Sequence, residues 1–488
     1  MLQEYNKSTK WDDTKVTNLL TELDKNQKLW QHKYSFDDIS ISLWVIYRAE
    51  LFETLLITLC NNKPLDTPTS TTLVKKFKYF INAYKNRIRS KSVDLLFISP
   101  VTQTVDSKNK NFNIYHEWLL QESLKKCTSL LIEEPKLYGD FHNERNMNKS
   151  SMAFEYIINL RYLYKAFKQN QKHQHSIDRF VTELVGSLQQ YDINLDHKNL
   201  CKRISRKLIK IYLMGKTFLS IIKKTNPTII VTQDLCYGGN KAIMVALAKK
   251  HKIKIIEDQH GMITKDYFGY NYGAVYDPIF IPDIIMLWGE YWSDKINLNC
   301  NKFILGNSRF DTSNITVKNY RNKQAPIYLI VPDSKDTTFT NEVVLKLIDL
   351  LSSSELLFRC HPRELNSVQI KYDKIIAAPN VKLDKKPILD TLAQVDVVIA
   401  MGSYVSTTVY EALSLGKPVV YIKSTDEVIG LETVKDYINL LRVNDLQTIT
   451  EKPLKDVPNN LAEKFMSKNW QRNWLSFLDT HLEKSDAL

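Results

Sequence analysis

Residues 395–420 read VDVVIAMGSYVSTTVYEALSLGKPVV and contain two apolar runs on either side of a turn and a helical pattern. An apolar run rich in β-branched residues ends at Ile399, and Gly402 then stands in a turn that carries several hydroxyl side chains. The pattern predicts a short helix from Ser406, ended near Gly416, and a second apolar strand after it. Buried strands alternating with helices are typical of a parallel sheet that is covered on both faces.

The same alternation extends outward from this stretch in both directions. In the second half of the chain the predicted strands are 327–331, 356–359, 395–399 and 418–422. In the first half they are 93–98, 129–132, 228–232, 253–256, 283–287 and 302–305. The sequence therefore predicts an α/β protein with two doubly wound, Rossmann-type domains that face a ligand-binding cleft, with helical additions at the N-terminus.

Changes in this rhythm give the predicted domain boundaries. Residues 1–90 are expected to be a helical N-terminal region, and 91–312 a Rossmann-like domain with a helical insertion. The polar residues 311–324 are expected to be a linker to a second Rossmann-like domain at 325–458. The aromatic-rich stretch 459–488 is predicted to form a helix that packs back across both domains.

The composition excludes several classes of protein. Of 488 residues, 43% are hydrophobic and 25% are charged, which is typical of a globular chain. The six cysteines have neither metal-ligand spacing nor a disulfide framework, so we expect a reducing cytoplasm and no bound metal. The amino terminus is polar, and charged residues interrupt the most apolar stretch, 39–60, so we expect neither a secretory signal nor a membrane span.

The formal net charge of +13 attracts polyanions, which include nucleic acid, an anionic membrane face and phosphorylated substrates. The alternative is that lysines simply cover solvated faces. Lysine-rich segments occur at 75–78 and 202–210, but they lack arginine-rich or glycine–aromatic repeats. This absence disfavours nucleic-acid binding.

A set of candidate phosphate-binding residues follows the strands of the second half. Histidine and arginine after strand 356–359 can form charge-assisted hydrogen bonds, and the predicted helix after strand 395–399 presents hydroxyls and free backbone N–H groups. A glutamate one turn into that helix would reach ribose hydroxyls. The set comprises His361, Arg363, Ser403, Ser406, Thr407, Thr408 and Glu411, with Lys335 as a further contact. Taken singly, these residues could be helix caps or a buried histidine, but their order favours a nucleotide site.

A second set follows strand 253–256 in the first half. The candidates for a general base that deprotonates an acceptor hydroxyl are Glu257, Asp258 and His260. We favour His260 because an ordinary histidine titrates near physiological pH, although it could instead fix the loop while a carboxylate acts as the base. Gly261 permits a sharp turn or a close approach of substrate. Candidates for stacking on sugar rings are Tyr267, Tyr270 and Tyr272.

These motifs together resemble GT-B glycosyltransferases over about residues 225–425. The stretch 411–420 is similar to the segment that holds the donor nucleotide in many of them. The His361-Pro362 pair with the Ser/Thr-rich turn resembles the motifs of bacterial sialyltransferases, polysialyltransferases and teichoic-acid glycerophosphotransferases. The Gln259-His260-Gly261 series resembles proteins of bacterial capsule and lipopolysaccharide synthesis, whereas enzymes with a sialyl donor often have an acidic-acidic-Gly motif there.

The resemblance implies metal-independent transfer of a sugar from a CMP-, UDP- or GDP-linked donor to a hydroxyl of a bacterial surface polysaccharide or lipopolysaccharide. It implies an N-terminal acceptor domain, a C-terminal donor domain and no cofactor, since the nucleotide-sugar is a substrate. The acceptor would be a glycan or a lipid-linked glycan, met at the inner face of the cytoplasmic membrane. The alternatives are transfer of a polyol phosphate from a CDP-linked donor and non-catalytic binding of nucleic acid.

Overall fold

The computed structural model describes residues 11–60, 81–89, 91–100, 103–105, 111–113, 115–134, 149–265, 267–310, 325–333, 336–458 and 461–482. The chain forms two units. The first unit comprises Met1–Leu287, Lys295–Phe303 and Gln471–Leu488, and the second comprises Trp288–Asp294 and Ile304–Trp470. The predicted linker 311–324 lies outside the described residues, and so does Lys335.

The first unit is built on a seven-stranded sheet with flanking helices. Its strands, with two hairpins, are β1 (Lys33–Phe36), β2 (Ile39–Ser42), β3 (Leu95–Pro100), β4 (Gln103–Val105), β5 (Asn111–Asn113), β6 (Ser129–Glu134), β7 (Lys149–Ser151), β8 (Ile229–Thr232), β9 (Lys254–Asp258), β10 (Ile284–Leu287) and β11 (Asn301–Ile304). Its helices are α1 (Asp13–Asp24), α2 (Gln27–Gln31), α3 (Leu43–Leu59), α4 (Glu117–Ser123), α5 (Ala153–Asn159), α6 (Leu163–Lys172), α7 (Gln174–Gln189), α8 (His197–Thr225) and α9 (Asn240–Lys250).

The strand order of this sheet is β11-β10-β9-β8-β3-β6-β7. Within this order, each neighbouring pair from β10 through β9, β8, β3 and β6 to β7 is parallel. From β3 the chain moves to β6 and β7 on one side, and later to β8 and β9 on the other side. The order therefore reverses between β3 and β8, and ligands of such sheets bind beyond the carboxyl ends of the strands at this kind of switch point.

The N-terminal region differs from the prediction, which made it wholly helical. Strands β1 and β2 form an antiparallel hairpin between α2 and α3. The hairpin is short, and its inner residues Tyr34, Phe36 and Ile41 are buried, so packing on the first unit outweighs the helical pattern of the sequence around it.

A buried ion pair fixes α3 to the first unit. The Arg48 guanidinium donates two hydrogen bonds to the Asp24 carboxylate, at 2.7 and 2.8 Å, and both side chains are fully buried. The same guanidinium donates to the backbone oxygens of Phe268 at 2.6 Å and Asn271 at 3.0 Å. Arg48 therefore holds the aromatic loop that follows His260 in the sequence.

The second unit contains a six-stranded parallel sheet. Its strands are β12 (Ile327–Val331), β13 (Glu355–Phe358), β14 (Val381–Leu383), β15 (Val397–Gly402), β16 (Val419–Lys423) and β17 (Asn439–Leu441). Its helices are α10 (Thr337–Leu350), α11 (Val368–Lys371), α12 (Asp373–Ile376), α13 (Ile388–Gln394), α14 (Thr407–Ser414), α15 (Thr448–Glu451) and α16 (Leu461–Phe465), and the last helix of the chain is α17 (Trp470–Leu482).

The order of the second sheet is β14-β13-β12-β15-β16-β17, and every neighbouring pair is parallel. The order reverses between β12 and β15, so the second unit has a switch point of its own. Buried residues such as Ile330, Val343, Phe358 and Ile399 form its core. The predicted α/β class with two doubly wound parallel sheets is confirmed.

The end of the chain contributes to both units. The Trp292 indole donates to the backbone oxygen of Phe465, at 2.7 Å, within the second unit. In the first unit, Trp474 of α17 donates from its indole nitrogen to Ser123 Oγ at 2.9 Å. Within the described ranges, no helix is both long enough and apolar enough to cross a membrane.

Candidate functional site

The switch point of the second unit brings Asp333 and the Gly402–Ser403 turn together. Asp333 follows β12 and Gly402 ends β15, and these two strands are neighbours in the sheet. The backbone N–H of Ser403 donates to Asp333 Oδ2 at 3.1 Å, and Asp333 is buried. A buried carboxylate thus fixes the backbone of the predicted phosphate-binding turn.

Gly402 is required by the geometry of this turn. Its φ is +125°, a conformation that side-chain-bearing residues rarely adopt. A Cβ atom here would lie 2.3 Å from Asp333 Oδ2, well inside van der Waals contact. Glycine therefore lets the turn close against Asp333, which agrees with the predicted turn at Gly402.

Ser406 is the N-cap residue of α14, and its hydroxyl does not cap the helix. Its side chain makes no capping hydrogen bond, and its Oγ has no hydrogen-bond partner among the residues that the structure describes. Thr407 and Thr408 form the start of the helix and are half-buried. The first N–H groups of any helix lack intrahelical acceptors, so hydroxyl and amide donors converge at this end of α14.

Glu411 is half-buried on α14, one turn beyond these donors. Burial raises the pKa of its carboxyl group, while the positive charges of Arg309 and Arg359 act in the opposite direction. The carboxyl group of Glu411 is thus in a low-dielectric environment, where electrostatic interactions are strong.

Arg309 and Arg359 were not among the predicted site residues. The Arg309 guanidinium lies 5.0 Å from the centre of the Trp288 ring. Arg359 follows β13 directly and donates to Asp384 Oδ2 at 2.5 Å and to the backbone oxygen of Lys386 at 2.7 Å. Arg359 could have been predicted as a site residue, because it follows a strand at its carboxyl end. No feature of the sequence predicts that Arg309 is near Glu411.

His361 lies in the loop after β13 and is exposed. Its backbone oxygen accepts from the N–H of Glu364 at 2.8 Å, which begins the 3₁₀ turn Pro362–Ser367. The backbone of Arg363 is in this turn, but its side chain lies outside the described residues. Because β13 neighbours β12, His361 belongs to the same edge of the sheet as Asp333.

In the first unit, His260 meets a carboxylate that sequence reasoning did not select. His260 Nε2 lies 3.1 Å from Asp234 Oδ1 and 3.4 Å from the Tyr237 hydroxyl. Asp234 follows β8 and has a left-handed backbone, with φ at +60°. Since β8 and β9 are parallel neighbours, the residues after them meet at one sheet edge.

Glu257 is fully buried and its hydrogen bonds are internal. It accepts from the Tyr270 hydroxyl at 2.6 Å and from the backbone N–H of Cys236 at 2.8 Å. Burial raises its pKa to about 7, although both hydrogen bonds act to lower it. As a buried carboxyl group it is a less direct candidate for the base than the partly exposed His260.

Asp258 is also buried, and a buried histidine lies beside it. His116 Nε2 is 3.5 Å from Asp258 Oδ2, and the His116 ring is fully buried. Neither ring nitrogen of His116 has a hydrogen-bond partner in the part of the chain that the structure describes. Asp258 is thus directed into the protein next to His116, while His260 is partly exposed.

The three predicted stacking tyrosines have different positions. Tyr267 accepts a hydrogen bond from the Tyr237 hydroxyl at 3.1 Å and joins the aromatic cluster around His260. Tyr270 and Tyr272 are buried, with hydroxyls bonded to Glu257 and to the backbone oxygen of Cys236. The prediction that these two rings stack on a sugar is therefore wrong, because neither presents a free face.

One group of possible metal ligands occurs among the described residues. Asp178, His197 and Cys201 have potential ligand atoms within 4.8 Å of one another, on α7 and α8. No sequence pattern predicts this group, because His197 and Cys201 become neighbours only on a helix and Asp178 comes from the preceding helix. These residues are not at the strand ends, and we give them no role in the proposed reaction.

No protein family matches the chain, and no curated protein matches it in sequence. Among solved structures, it is similar to a putative UDP-N-acetylglucosamine 2-epimerase from Listeria monocytogenes, with 11% identity, a TM-score of 0.46, and coverage of 81% of this chain and 98% of that one. It is also similar to the lipopolysaccharide outer core galactosyltransferase WaaB, with 13% identity, a TM-score of 0.42, and coverage of 79% and 99%.

Proposed function

We propose that this protein transfers a sugar from a nucleotide-activated donor to a hydroxyl group of an acceptor glycan. The proposal rests on the N-terminus of α14, where Ser406 Oγ has no hydrogen-bond partner among the described residues and Glu411 lies one turn further along the helix. This end of the helix is at the topological switch point of a doubly wound sheet, where such folds bind ligands.

The donor would bind to the second unit. Its phosphate groups accept hydrogen bonds from Ser406, from the first N–H groups of α14 and from Ser403 Oγ, with His361 and Arg363 as further cations. Glu411 accepts from the ribose hydroxyls, and Arg309 and Arg359 offset its charge. Helix N-terminus and cations stabilise the negative charge that develops on the leaving nucleotide, which is the task of a metal ion in other transferases.

The acceptor hydroxyl would be activated in the first unit. His260 takes the proton, and Asp234 holds the imidazole and stabilises its charged form. General-base catalysis of this kind contributes roughly 10²–10⁴-fold. The acceptor we propose is a bacterial surface polysaccharide or lipopolysaccharide, on the basis of the motif resemblance in the sequence.

Nucleotide binding is the first test, because a ligand that binds only the folded state raises its stability. We expect one of CMP, CDP, UDP, GDP or ADP to raise the melting temperature of the wild type. Glu411→Gln should reduce this shift, and the matched variant Glu432→Gln, which changes an exposed glutamate of the same unit, should retain it. Absence of a shift with all five nucleotides would reject the donor site.

The identity of the nucleotide and of the product then separates the related reactions. CMP would indicate a sialic or related acid, CDP a polyol phosphate, and UDP or GDP a hexose. Phosphate in the transferred group would establish the polyol-phosphate alternative. With the donor identified, His361→Ala should abolish turnover while leaving the melting temperature unchanged, because His361 is exposed. Near-normal turnover of this variant would remove His361 from the site.

A further inference from the structure

A continuous helical run in the first unit exposes an unusual number of apolar side chains. Helix α5, the 3₁₀ turn Leu160–Tyr162 and helix α6 follow one another without a gap. Of the 14 large hydrophobic side chains exposed among the described residues, five are in this run. They are Ile158 (38% exposed), Leu160 (42%), Leu163 (38%), Tyr164 (75%) and Phe167 (49%). Single exposed apolar residues are ordinary, but a cluster marks an interaction site.

The spacing of these residues puts them on one face. Leu160, Leu163, Tyr164 and Phe167 follow the i, i+3, i+4, i+7 pattern of an apolar helix stripe. In a surface helix that stripe normally faces the core. Here the buried residues of α6 are Ala166 and Asn170, so the larger apolar face is turned to solvent.

The segment that forms this face carries basic residues and no acidic ones. Exposed cations occur at Arg161, Lys165, Lys168 and Lys172, and the sequence has no aspartate or glutamate between Tyr156 and Lys172. The nearest preceding acid, Glu155, is buried and accepts a hydrogen bond from Lys224 at 3.0 Å. The net charge of this surface is therefore strongly positive.

A neighbouring segment, residues 81–91, also carries aromatic and basic side chains. The Tyr84 ring packs edge-on against Phe154 of α5, with 5.3 Å between ring centres, and is 49% exposed. The Arg87 guanidinium lies 4.1 Å from the centre of the Tyr84 ring. Residues 81–91 contain four basic residues, Lys85, Arg87, Arg89 and Lys91, and no acidic residue. Residues 81–89 and 156–172 together are called the basic–aromatic surface below.

We propose that the basic–aromatic surface docks the protein on an anionic lipid bilayer. Amphipathic helices with aromatic and leucine side chains on one face and lysine or arginine around it lie in the plane of a membrane interface. Each basic residue near an anionic membrane contributes about 1 kcal/mol, and aromatic rings are favoured at the headgroup level. Charge complementarity selects this occupant, because residues 81–89 and 156–172 provide cations and apolar rings and include no aspartate or glutamate.

The test uses the full-length protein and sedimentation with vesicles. One set of vesicles is phosphatidylcholine alone, and the other is an equal mixture of phosphatidylcholine and phosphatidylglycerol. We expect the protein to bind the anionic vesicles, and salt to weaken this binding. Lys165→Gln with Lys168→Gln should weaken it about 30-fold, at about fivefold for each charge. Tyr164→Ser with Phe167→Ser should weaken it at least tenfold.

Matched variants in the second unit provide the controls. Lys346→Gln with Lys382→Gln removes two exposed lysines, and Ile370→Ser removes an apolar side chain that is 85% exposed. Both control proteins should bind as the wild type does. Because all these side chains are exposed, the melting temperature of each variant should equal that of the wild type.

Three results would overturn the proposal. The first is equal binding to neutral and anionic vesicles, and the second is wild-type binding by both surface variants. The third is displacement of the protein from the vesicles by a single-stranded oligonucleotide, together with loss of oligonucleotide binding in the same variants. The last result would assign the surface to nucleic acid. Vesicle binding is measured without nucleotide and nucleotide binding without vesicles, so this inference and the proposed transfer reaction can fail independently.

Discussion

His260 Nε2 lies 3.1 Å from Asp234 Oδ1, where two adjacent parallel strands of the first sheet end. A carboxylate at this distance orients an imidazole and stabilises its protonated form. The Tyr237 hydroxyl, 3.4 Å from the same nitrogen, belongs to an aromatic cluster with Tyr267 and Phe268. The histidine that the sequence favours as the base is therefore held by Asp234 and Tyr237, which come from the segment after the neighbouring strand.

Replacing Asp234 with asparagine should reduce turnover about 100-fold or more, because His260 would lose the charge that stabilises its protonated form. Asparagine tolerates the left-handed backbone of this position, so the melting temperature should stay unchanged. The measurement is kcat/KM with the identified donor. In a His260→Ala background, Asp234→Asn should have little further effect, since residues that act as a unit are not additive.

The control for this experiment is Asp192→Asn, which changes another aspartate with a left-handed backbone, at φ +59°, on an exposed loop of the same unit. It should keep wild-type turnover. If Asp234→Asn also kept it, Asp234 would have no part in the reaction and His260 would have to act alone or not at all.

The sheet interiors were predictable because buried parallel strands are uninterrupted apolar runs. Strands β8, β12, β15 and β16 follow such runs in the sequence, whereas β9 has only Ile255 and Ile256 between charged residues. The edge strands β7, β14 and β17 have three residues each, and none of them is an apolar run: β7 is wholly polar, and β14 and β17 mix polar with apolar side chains. The β1–β2 hairpin was missed because its few residues stand between helical patterns.

The location of the candidate site could be predicted from the sequence, but the contacts of its side chains could not. The carboxyl ends of parallel strands share one edge, and this topology alone puts Gly402 and the start of α14 at the edge where such folds bind ligands. The partners that give these residues their properties come from distant parts of the chain. Asp333 is 70 residues from Ser403 in sequence, and no local pattern reports that the two are hydrogen-bonded. The burial of Tyr270 and Tyr272 likewise depends on packing around Glu257 and Arg48.

Glu257 should give the protein a distinctive dependence of stability on pH. Its pKa is raised by burial from 4.5 to about 7, so the folded protein retains a proton that the unfolded chain loses. The resulting stabilisation is complete below pH 4.5 and is lost as the pH rises through about 7. The loss is on the order of 3 kcal/mol of unfolding free energy.

Glu257→Gln tests this dependence, because glutamine is neutral at every pH. Urea unfolding at pH 5 and pH 8 should show a smaller decrease in unfolding free energy for Glu257→Gln than for the wild type. Glu342→Gln, which changes an exposed glutamate, should reproduce the wild-type decrease. The same decrease in all three proteins would mean that Glu257 is ionised in the folded state across this range.

Gly402→Ala should destabilise the second unit and remove nucleotide binding. The new methyl group would lie 2.3 Å from Asp333 Oδ2, an oxygen already bonded to the Ser403 N–H, and φ is +125°. Strain of this kind costs about 1–3 kcal/mol. Thermal unfolding with and without the stabilising nucleotide measures both effects.

Gly416→Ala separates backbone strain from the clash at Gly402. Its φ is also positive, at +66°, but no described atom lies within 4 Å of the new Cβ. We expect a loss of about 1 kcal/mol and a normal nucleotide shift. If Gly402→Ala behaved in the same way as Gly416→Ala, the close approach to Asp333 would be irrelevant to the donor site.

Gly261 follows His260, and its substitution distinguishes the two roles that the sequence offers for this glycine. Unlike Gly402, it has no positive φ, and no atom of the described residues lies within 4 Å of an added Cβ. Neither backbone strain nor packing therefore requires glycine, which favours the close approach of substrate. We expect Gly261→Ala to unfold at the wild-type temperature and to bind the nucleotide normally, while KM for the acceptor rises about tenfold because the methyl group occupies space beside His260. Steady-state kinetics at saturating donor measures this rise; an unchanged acceptor KM would place the acceptor elsewhere than beside His260.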